Sequence, residues 1–270
     1  MPDPTLALPY PVYLDHIRTE SRRFRDVLAG CDPAARVPAC PDWSAGDLLW
    51  HLTEVQWFWA RTVRTRPAPP AEDVAGPERP ATYDGLLAAF DEHSAALVAE
   101  LEAAGPDAEA WHWAPVQTVG TSYRRQAHEA LIHRLDAEQA AGAVTALDPA
   151  LAADGVLELV DVMYGGEAPP WGRIEPSEHL VRIDLLDRDA SIWVRPGTFL
   201  GTEPESGKCY DVPHVQVVDG LGTEPSAVVA GTAADLDAWL WNRRDDRGIT
   251  VSGDPAAYDA FRAAVSQPLD

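Results

Sequence analysis

Lysine, cysteine and long apolar runs are scarce in this chain of 270 residues, and each scarcity excludes a class of protein. Lys208 is the only lysine, and 43 acidic residues against 21 basic ones leave a formal net charge of -22. An acidic surface repels nucleic acid and anionic lipid, so we expect neither as a partner. No apolar run is long enough to cross a bilayer, and no secretory signal is visible. We therefore expect a cytoplasmic protein.

The three cysteines, Cys31, Cys40 and Cys209, are odd in number and contain no C-x-x-C pair. This argues against a disulfide framework or a cysteine zinc site and fits a reducing compartment. Cys40 has no histidine beside it in the sequence, so we interpret it as a packing residue. The apolar fraction of 46% and the charged fraction of 24% are those of a globular protein. The length admits one large domain or two ordinary ones.

Helical periodicity dominates the first half of the chain. The predicted helices run from Pro11 to about Gly30, from the cap Ser44 to about Arg66, from about Thr82 to Ala104, and from a cap at Thr121 or Ser122 to Gly142. Ser44 followed by Asp47 is the pattern of a capping box, which marks the start of the second helix. Residues 32–42 contain three prolines and are predicted to be a linker without helix. Four amphipathic helices in this arrangement predict a four-helix bundle.

The second half mixes helices and strands. Its predicted helices are Leu151–Met163, Ala233–Arg244 and Ala256–Val265, and its predicted strands are His179–Leu185, Ala190–Arg195, Val212–Val218, Ser226–Ala230 and Gly248–Ser252. This alternation predicts an α+β domain with a mostly antiparallel sheet. We therefore divide the chain into residues 1–148, the helical domain, and residues 149–270, the α+β domain.

The fourth predicted helix carries a pair of metal-ligating side chains. Glu129 and His133 are one turn apart and project from one face, whereas His128 points elsewhere and is interpreted as structural or solvent-facing. His51 lies on the inward stripe of the second helix, so it becomes a third donor if the two helices are neighbours. Two histidines and one glutamate are a catalytic zinc set with one open position. The pattern does not show that the helices face each other, so a metal-free, hydrogen-bonded core remains the alternative.

Three segments resemble actinobacterial DinB-like proteins and, more narrowly, the mycothiol-dependent maleylpyruvate isomerase family. They are Pro38–Leu52, His128–Glu138 and Gly231–Arg243. The first is similar to the family's P-x-C-P-x-W-x-x-x-D-L-x-x-H-L, the second to E-x3-H-R-x-D-A-E, and the third to G-x-A-x-D-L followed by W-L-x-G-R. Asn242 departs from the last pattern, because the family usually has glycine there.

The resemblance implies a DinB-like four-helix bundle joined to a C-terminal α+β domain of sterol-carrier-like type. It also implies that His51, Glu129 and His133 are the metal ligands, that the metal is zinc or another divalent ion, and that mycothiol is the cosubstrate. Arg243 matches an arginine that contacts an acidic substrate in the isomerases. Asp136 lies three residues after His133, where it is predicted to orient that ligand or to pair with Arg134 or Arg125.

These features predict an enzyme in which a metal activates a low-molecular-weight thiol for attack on a small electrophile. The thiolate either adds to a cis double bond, permits rotation and leaves, or forms a lasting thioether, and the residues do not separate isomerase from transferase. A metal-dependent hydrolase and a non-catalytic metal- or ligand-binding protein are the alternatives. Trp43 and Trp50 are interpreted as core residues. The protein is expected to be a monomer or a homodimer.

Overall fold

The computed structural model describes residues 6–71, 74–220, 222–267 and 269, and these form two compact units. The units divide between residues 147 and 148. The first is helical and begins at Leu8, and the second contains a mixed sheet and includes the described residues that precede Leu8. Among the described residues, no helix is long and apolar enough to cross a membrane.

Four long helices make up the first unit. They are α1 (Tyr10–Ala29), α2 (Ala45–Thr65), α3 (Tyr83–Ala104) and α4 (Val119–Ala141). Helix α1 packs chiefly against α4 and α2 chiefly against α3, while α2 also contacts α4. A cluster of buried side chains includes Phe24 of α1, Leu48 and Leu52 of α2, and Phe90 of α3. Burying each such side chain contributes about 1.5–3 kcal/mol. The contact between α2 and α4 brings together the helices that carry the predicted ligands.

The capping box at the start of α2 is confirmed. The Asp47 backbone N–H donates to Ser44 Oγ at 3.2 Å, and the Ser44 backbone N–H donates to Asp47 Oδ2 at 3.0 Å. Arg79 also donates to Asp47 Oδ1 at 2.8 Å. The hydrogen bonds from Ser44, with help from Arg79, lower the pKa of Asp47 to about 2. The chain therefore enters α2 along a defined path.

The predicted linker at residues 32–42 contains no helix, as expected, but part of it is a small hairpin. Its strands are β1 (Arg36–Val37) and β2 (Cys40–Ser44), and they pair antiparallel. The Ala45 backbone N–H donates to the Ala35 carbonyl at 2.8 Å, which ties the hairpin to the first turn of α2. Strands this short carry too little alternation to be recognised in a sequence.

Helix α4 begins at Val119, so the predicted cap at Thr121 or Ser122 is wrong. Thr118 occupies the N-cap position, but its side chain makes no capping hydrogen bond. The Val119 backbone N–H instead donates to the carbonyl of Ala108 at 2.9 Å. Because the acceptor belongs to the preceding loop, local residue types do not reveal where this helix starts.

A buried network of ion pairs joins α4 to α1. Glu138 is fully buried and accepts from Arg23 at 2.7 Å and from Arg134 at 3.0 Å. The backbone N–H of Thr145 donates to the same carboxylate at 2.7 Å, and Arg134 also donates to Glu20 at 2.7 Å. Removing one partner of a buried pair typically costs about 3–5 kcal/mol. The turn of α4 that follows His133 is therefore held firmly against α1.

In its described residues, the second unit combines three α-helices with a six-stranded sheet. Its elements are α5 (Pro149–Glu158), a π-helical turn (Leu159–Met163), β3 (Gly172–Pro176), β4 (Val181–Leu185), β5 (Ala190–Thr202), β6 (Cys209–Val217), β7 (Ala227–Gly231), α6 (Ala233–Leu240), β8 (Thr250–Gly253) and α7 (Pro255–Ala264). The strand order is β3-β5-β4-β7-β8, with β6 paired to β5. Only β4 and β7 pair in parallel among these strands, so antiparallel pairing predominates as expected. Helix α6 packs against α5, and α7 contacts several strands.

Four features of this unit differ from the prediction. Strand β3 was not predicted, β5 continues through Pro196 to Thr202 where an end at Arg195 was expected, and α6 ends at Leu240 where Arg244 was expected. The second half of β5 is paired on both edges, by β3 and by β6. Partner strands thus extend it past residues with poor strand propensity. The predicted helix Leu151–Met163 is α-helical only to Glu158 and continues as the π-helical turn. The remaining elements lie where predicted, with ends shifted by up to three residues.

Candidate metal centre

Glu129 and His133 project from one face of α4, as their spacing predicts. The Nε2 atom of His133 lies 3.0 Å from Oε1 of Glu129. His128 points away from this pair, and its buried ring stands edge-on to Tyr13 at 6.2 Å between centroids. The local pattern is therefore a carboxylate–imidazole pair one turn apart, and His128 has a structural role.

His51 reaches the same point from α2. Its Nε2 atom lies 3.7 Å from Oε1 of Glu129, and its ring centroid lies 4.8 Å from that of His133. One donor atom from each of the three residues lies within 4.8 Å of the other two. His51 is about one-third exposed, whereas Glu129 and His133 are more deeply placed, so the cluster is open on the α2 side.

Arg125 neutralises the buried charge of Glu129. Its Nη2 donates to Glu129 Oε2 at 2.6 Å, and the Arg125 side chain is only 5% exposed. Burial alone would raise the pKa of Glu129, but the positive charge of Arg125, the hydrogen bond with His133 and the nearby imidazole of His51 lower it well below its usual value. Glu129 is therefore an anion, with Oε1 directed at the two histidines.

Asp136 determines which nitrogen of His133 carries a proton. Its Oδ2 lies 3.0 Å from Nδ1 of His133, and the Asp136 side chain is fully buried. Burial alone would lower the pKa of His133, but the hydrogen bonds with Asp136 and Glu129 raise it to about 9. In the metal-free protein both ring nitrogens therefore carry protons, one toward each carboxylate. When a cation replaces the proton on Nε2, the carboxylate of Asp136 holds the remaining proton on Nδ1, which leaves the Nε2 lone pair for the metal.

The donor set of this cluster fits a divalent metal. Two imidazole nitrogens and one carboxylate oxygen are the ligands of many catalytic zinc sites, which leave one coordination position open. Separations of 3.0 Å and 3.7 Å from Glu129 Oε1 to the two Nε2 atoms suit ligands that share one ion. Among the described residues, this is the one such group of His, Cys, Asp and Glu side chains.

Three side chains near α2 were predicted to be packing residues. Cys40 and Trp50 pack in or against the buried core of the helical unit, which confirms that prediction for both. Trp43 packs against the same core, but its ring also lies 4.7 Å from that of His51. No local sequence pattern indicates this contact between Trp43 and His51. The ion pair between Arg125 and Glu129 was also not predicted, although its i,i+4 spacing is a local pattern that indicates such pairs.

Arg243 belongs to the second unit, just beyond α6. Its Nη1 donates to the carbonyl of Trp241 at 2.8 Å, and its guanidinium lies 5.9 Å from the Trp241 ring centre. Asn242, which precedes it, has a φ of 58°. Glycine adopts this left-handed conformation most readily and asparagine is the usual substitute, so the backbone at Asn242 is one that glycine would also favour.

Comparison with known proteins links both halves of the chain to one family. The protein-family model described as the mycothiol maleylpyruvate isomerase N-terminal domain matches residues 14–138, and the family model described as the MDMPI C-terminal domain matches residues 150–260. A crystal structure of a mycothiol-dependent maleylpyruvate isomerase mutant has 14% identity and a TM-score of 0.59, covering 91% of this chain and 93% of that chain. A second crystal structure of the isomerase has 13% identity and a TM-score of 0.56, with the same coverage. No curated protein matches in sequence.

Proposed function

This chain belongs to the mycothiol-dependent maleylpyruvate isomerase family, and we propose that it is a metal- and mycothiol-dependent isomerase or thiol transferase acting on a small electrophile. The observation that carries the proposal is the convergence of His51, Glu129 and His133 from two helices onto one point. Membership of this family favours thiol chemistry, and within it the isomerase, over the hydrolase and the non-catalytic alternatives.

We propose that His51, Glu129 and His133 hold zinc or another divalent ion. Such an ion, when bound, supplies an open position at which a thiol loses its proton near neutral pH. Glu129 contributes one negative charge, so a divalent ion and this ligand together leave one positive charge. Arg125 adds a second positive charge at a distance of 2.6 Å from Glu129, and the Asp136 carboxylate beside His133 offsets one of the two. The site therefore favours an anionic thiolate over a neutral thiol.

The surrounding side chains prepare the ligands before a thiol arrives. Asp136 keeps the His133 proton on Nδ1, and Arg125 keeps Glu129 ionised although it is buried. Neither group has to reorganise when charge develops on sulfur, which is the advantage of a preorganised site. In an isomerase, the sulfur–carbon bond would form as the π bond of a cis alkene conjugated to a carbonyl breaks, and the π electron pair would move onto the carbonyl oxygen as an enolate. After rotation about the resulting single bond, return of that pair would restore the double bond and expel the thiolate.

Arg243 is proposed to bind a substrate carboxylate. A guanidinium binds a carboxylate through two parallel hydrogen bonds, which orients as well as attracts it. Two features support this role because they fix the position of the guanidinium. The left-handed conformation of Asn242 sets the direction of the backbone at Arg243, and the hydrogen bond to the Trp241 carbonyl holds the Arg243 side chain. The family resemblance at Gly231–Arg243 supports it as well.

We also infer the finer fold assignments from the family. Pairwise packing of α1 with α4 and of α2 with α3 supports a DinB-like four-helix bundle over residues 1–148. A mixed sheet with a cavity of about 320 Å³, lined in part by Trp171, Phe199 and His214, supports a sterol-carrier-like α+β domain over residues 149–270. A cytoplasmic location fits a thiol cosubstrate, which requires a reducing compartment.

Cobalt substitution with mycothiol titration tests the proposed function. We expect Co²⁺ to bind one equivalent to the purified protein, and reduced mycothiol to add a saturable sulfur-to-metal charge-transfer absorption. The disulfide form of mycothiol, which has no free thiol, is the matched control and should leave the spectrum unchanged. Cobalt binding without any response to the reduced thiol would exclude thiol activation at this site.

Metal uptake is expected to release a proton from His133. The pKa of about 9 means that this imidazole is protonated at pH 7 in the metal-free protein, whereas a ligand nitrogen must be unprotonated. The apparent association constant should therefore rise about tenfold per pH unit below pH 9 and level off above it. Calorimetric titration of Zn²⁺ in buffers of different ionisation enthalpy counts the protons, with about one expected at pH 7. A constant affinity between pH 7 and pH 8.5 would contradict the assignment of His133 as a ligand.

A further inference from the structure

The two histidines of the metal centre differ in what holds their second ring nitrogen, Nδ1. Asp136 lies 3.0 Å from Nδ1 of His133, whereas no side chain or carbonyl in the described part of the protein forms a hydrogen bond with Nδ1 of His51. Metal-bound histidines almost always donate their second N–H to a carboxylate, a carbonyl or water. The His51 side chain is about one-third exposed, so burial does not fix the plane of its ring either.

The ring of Trp43 lies beside the imidazole of His51. The ring centroids of Trp43 and His51 lie 4.7 Å apart with an interplanar angle of 45°. Aromatic rings attract at this separation and in tilted arrangements, with a preference for defined geometry. A second ring in contact with His51 is that of His133, which stands nearly perpendicular at 4.8 Å between centroids. The imidazole of His51 therefore has an aromatic neighbour besides its fellow ligand.

Trp43 is itself firmly positioned. It packs against the core that contains Leu48 and Phe24, and it immediately precedes the capping residue Ser44. The hairpin register pairs Ser44 with Arg36, and the capping box fixes the backbone where β2 becomes α2. A side chain anchored at both the backbone and the core is able to hold a neighbouring ring in one orientation.

We propose that Trp43 is the positioning residue for His51, orienting its Nε2 toward Glu129 and His133 by ring packing. This rests on the proposed metal function. Trp43 has the same role for His51 as Asp136 has for His133, because each fixes the plane of the imidazole. Asp136 does so by a hydrogen bond with Nδ1, whereas the indole does so by packing against the ring. His51 is then the less polarised and more exposed of the two histidine ligands, located where the site opens to solvent.

Cobalt affinity in matched tryptophan variants tests the proposal. Trp43→Leu keeps an apolar side chain but removes the ring, and Trp43→Phe keeps a ring. Trp50→Leu removes a ring from the same buried core but leaves the Trp43 ring in place beside His51. We expect Trp43→Leu to weaken Co²⁺ binding by roughly tenfold and to alter its d–d spectrum, as loss of other ligand-orienting groups does. Trp43→Phe should stay within about twofold of the wild type, and Trp50→Leu should lower stability with unchanged affinity.

Each outcome bears on a different statement. Equal affinity and spectrum in Trp43→Leu and the wild type would overturn the role of Trp43 while leaving the metal centre intact. An equal loss in Trp50→Leu would also overturn it, because the effect would then belong to the core. Wild-type protein that binds no cobalt would overturn the metal centre and this role together. Urea midpoints identify variants that do not fold, and Trp43→Met, an unbranched space-filling replacement, then takes the place of Trp43→Leu.

Discussion

Replacing His133 with alanine is expected to lower zinc affinity by more than about a hundredfold and to reduce thiol-dependent turnover to background. Structural zinc sites with four ligands bind with roughly 10–16 kcal/mol, so each protein ligand contributes about 3 kcal/mol. His133 is also the most constrained of the three ligands, since its two ring nitrogens contact Glu129 and Asp136 at 3.0 Å each. Metal content after dialysis and Co²⁺ titration measure the loss.

His128→Ala is the matched control for this variant. His128 lies on the same helix and is equally buried, but its ring packs against Tyr13 and not against the cluster. It should retain one equivalent of metal even where its stability falls. Retention of full metal affinity by His133→Ala, or an equal loss in His128→Ala, would show that the ion binds elsewhere.

The second large effect is expected from Asp136→Asn. The amide is isosteric with the carboxylate but is neutral, and its NH₂ group is able to donate to Nδ1 of His133. That bond would move the imidazole proton to Nε2, where it blocks a metal, as the same substitution does in catalytic triads. We expect zinc affinity to fall by about 10–100-fold. The pKa of His133 in the metal-free protein, raised to about 9 with the carboxylate present, should fall as well. NMR titration of the imidazole and calorimetry measure the two effects.

Glu138→Gln separates the role of Asp136 from general disturbance of α4. Glu138 is a fully buried carboxylate on the same helix, but its partners are Arg23, Arg134 and Thr145 and not a metal ligand. This variant should lose stability and keep its zinc affinity. If Glu138→Gln lowers the zinc affinity as much as Asp136→Asn does, the proposed orienting role of Asp136 is wrong.

Much of the helical unit was predictable because its signals are local. The capping box of Ser44 and Asp47 is a short-range pair of hydrogen bonds, and Gly142 ends α4 with a φ of 70°. The placement of Glu129 and His133 on one face follows from the helical repeat alone. The start of α4 was not predictable, because its first N–H group is satisfied by the loop carbonyl of Ala108.

In the second unit, too, features with local sequence signals were predictable and features that depend on distant segments were not. Strands β4 and β7 alternate buried and half-buried residues and were recognised from that pattern. Strand β5 was recognised only up to Arg195, because Pro196 and Gly197 have poor strand propensity. Their inclusion depends on β6, which pairs with β5 from Val194 to Thr202. Such pairing between distant segments has no counterpart in local propensity.

The sequence by itself determined the pair Glu129 and His133, the inward position of His51 and, through three motifs, the family. Tertiary structure decided that α2 faces α4 closely enough to bring His51 within 3.7 Å of Glu129, and that Trp43 lies against His51. It also decided that Asp136 bonds to His133 while Arg134 pairs with Glu20 and Glu138. The reason is physical: periodicity and capping depend on neighbours a few residues away, whereas these contacts depend on how separate helices pack.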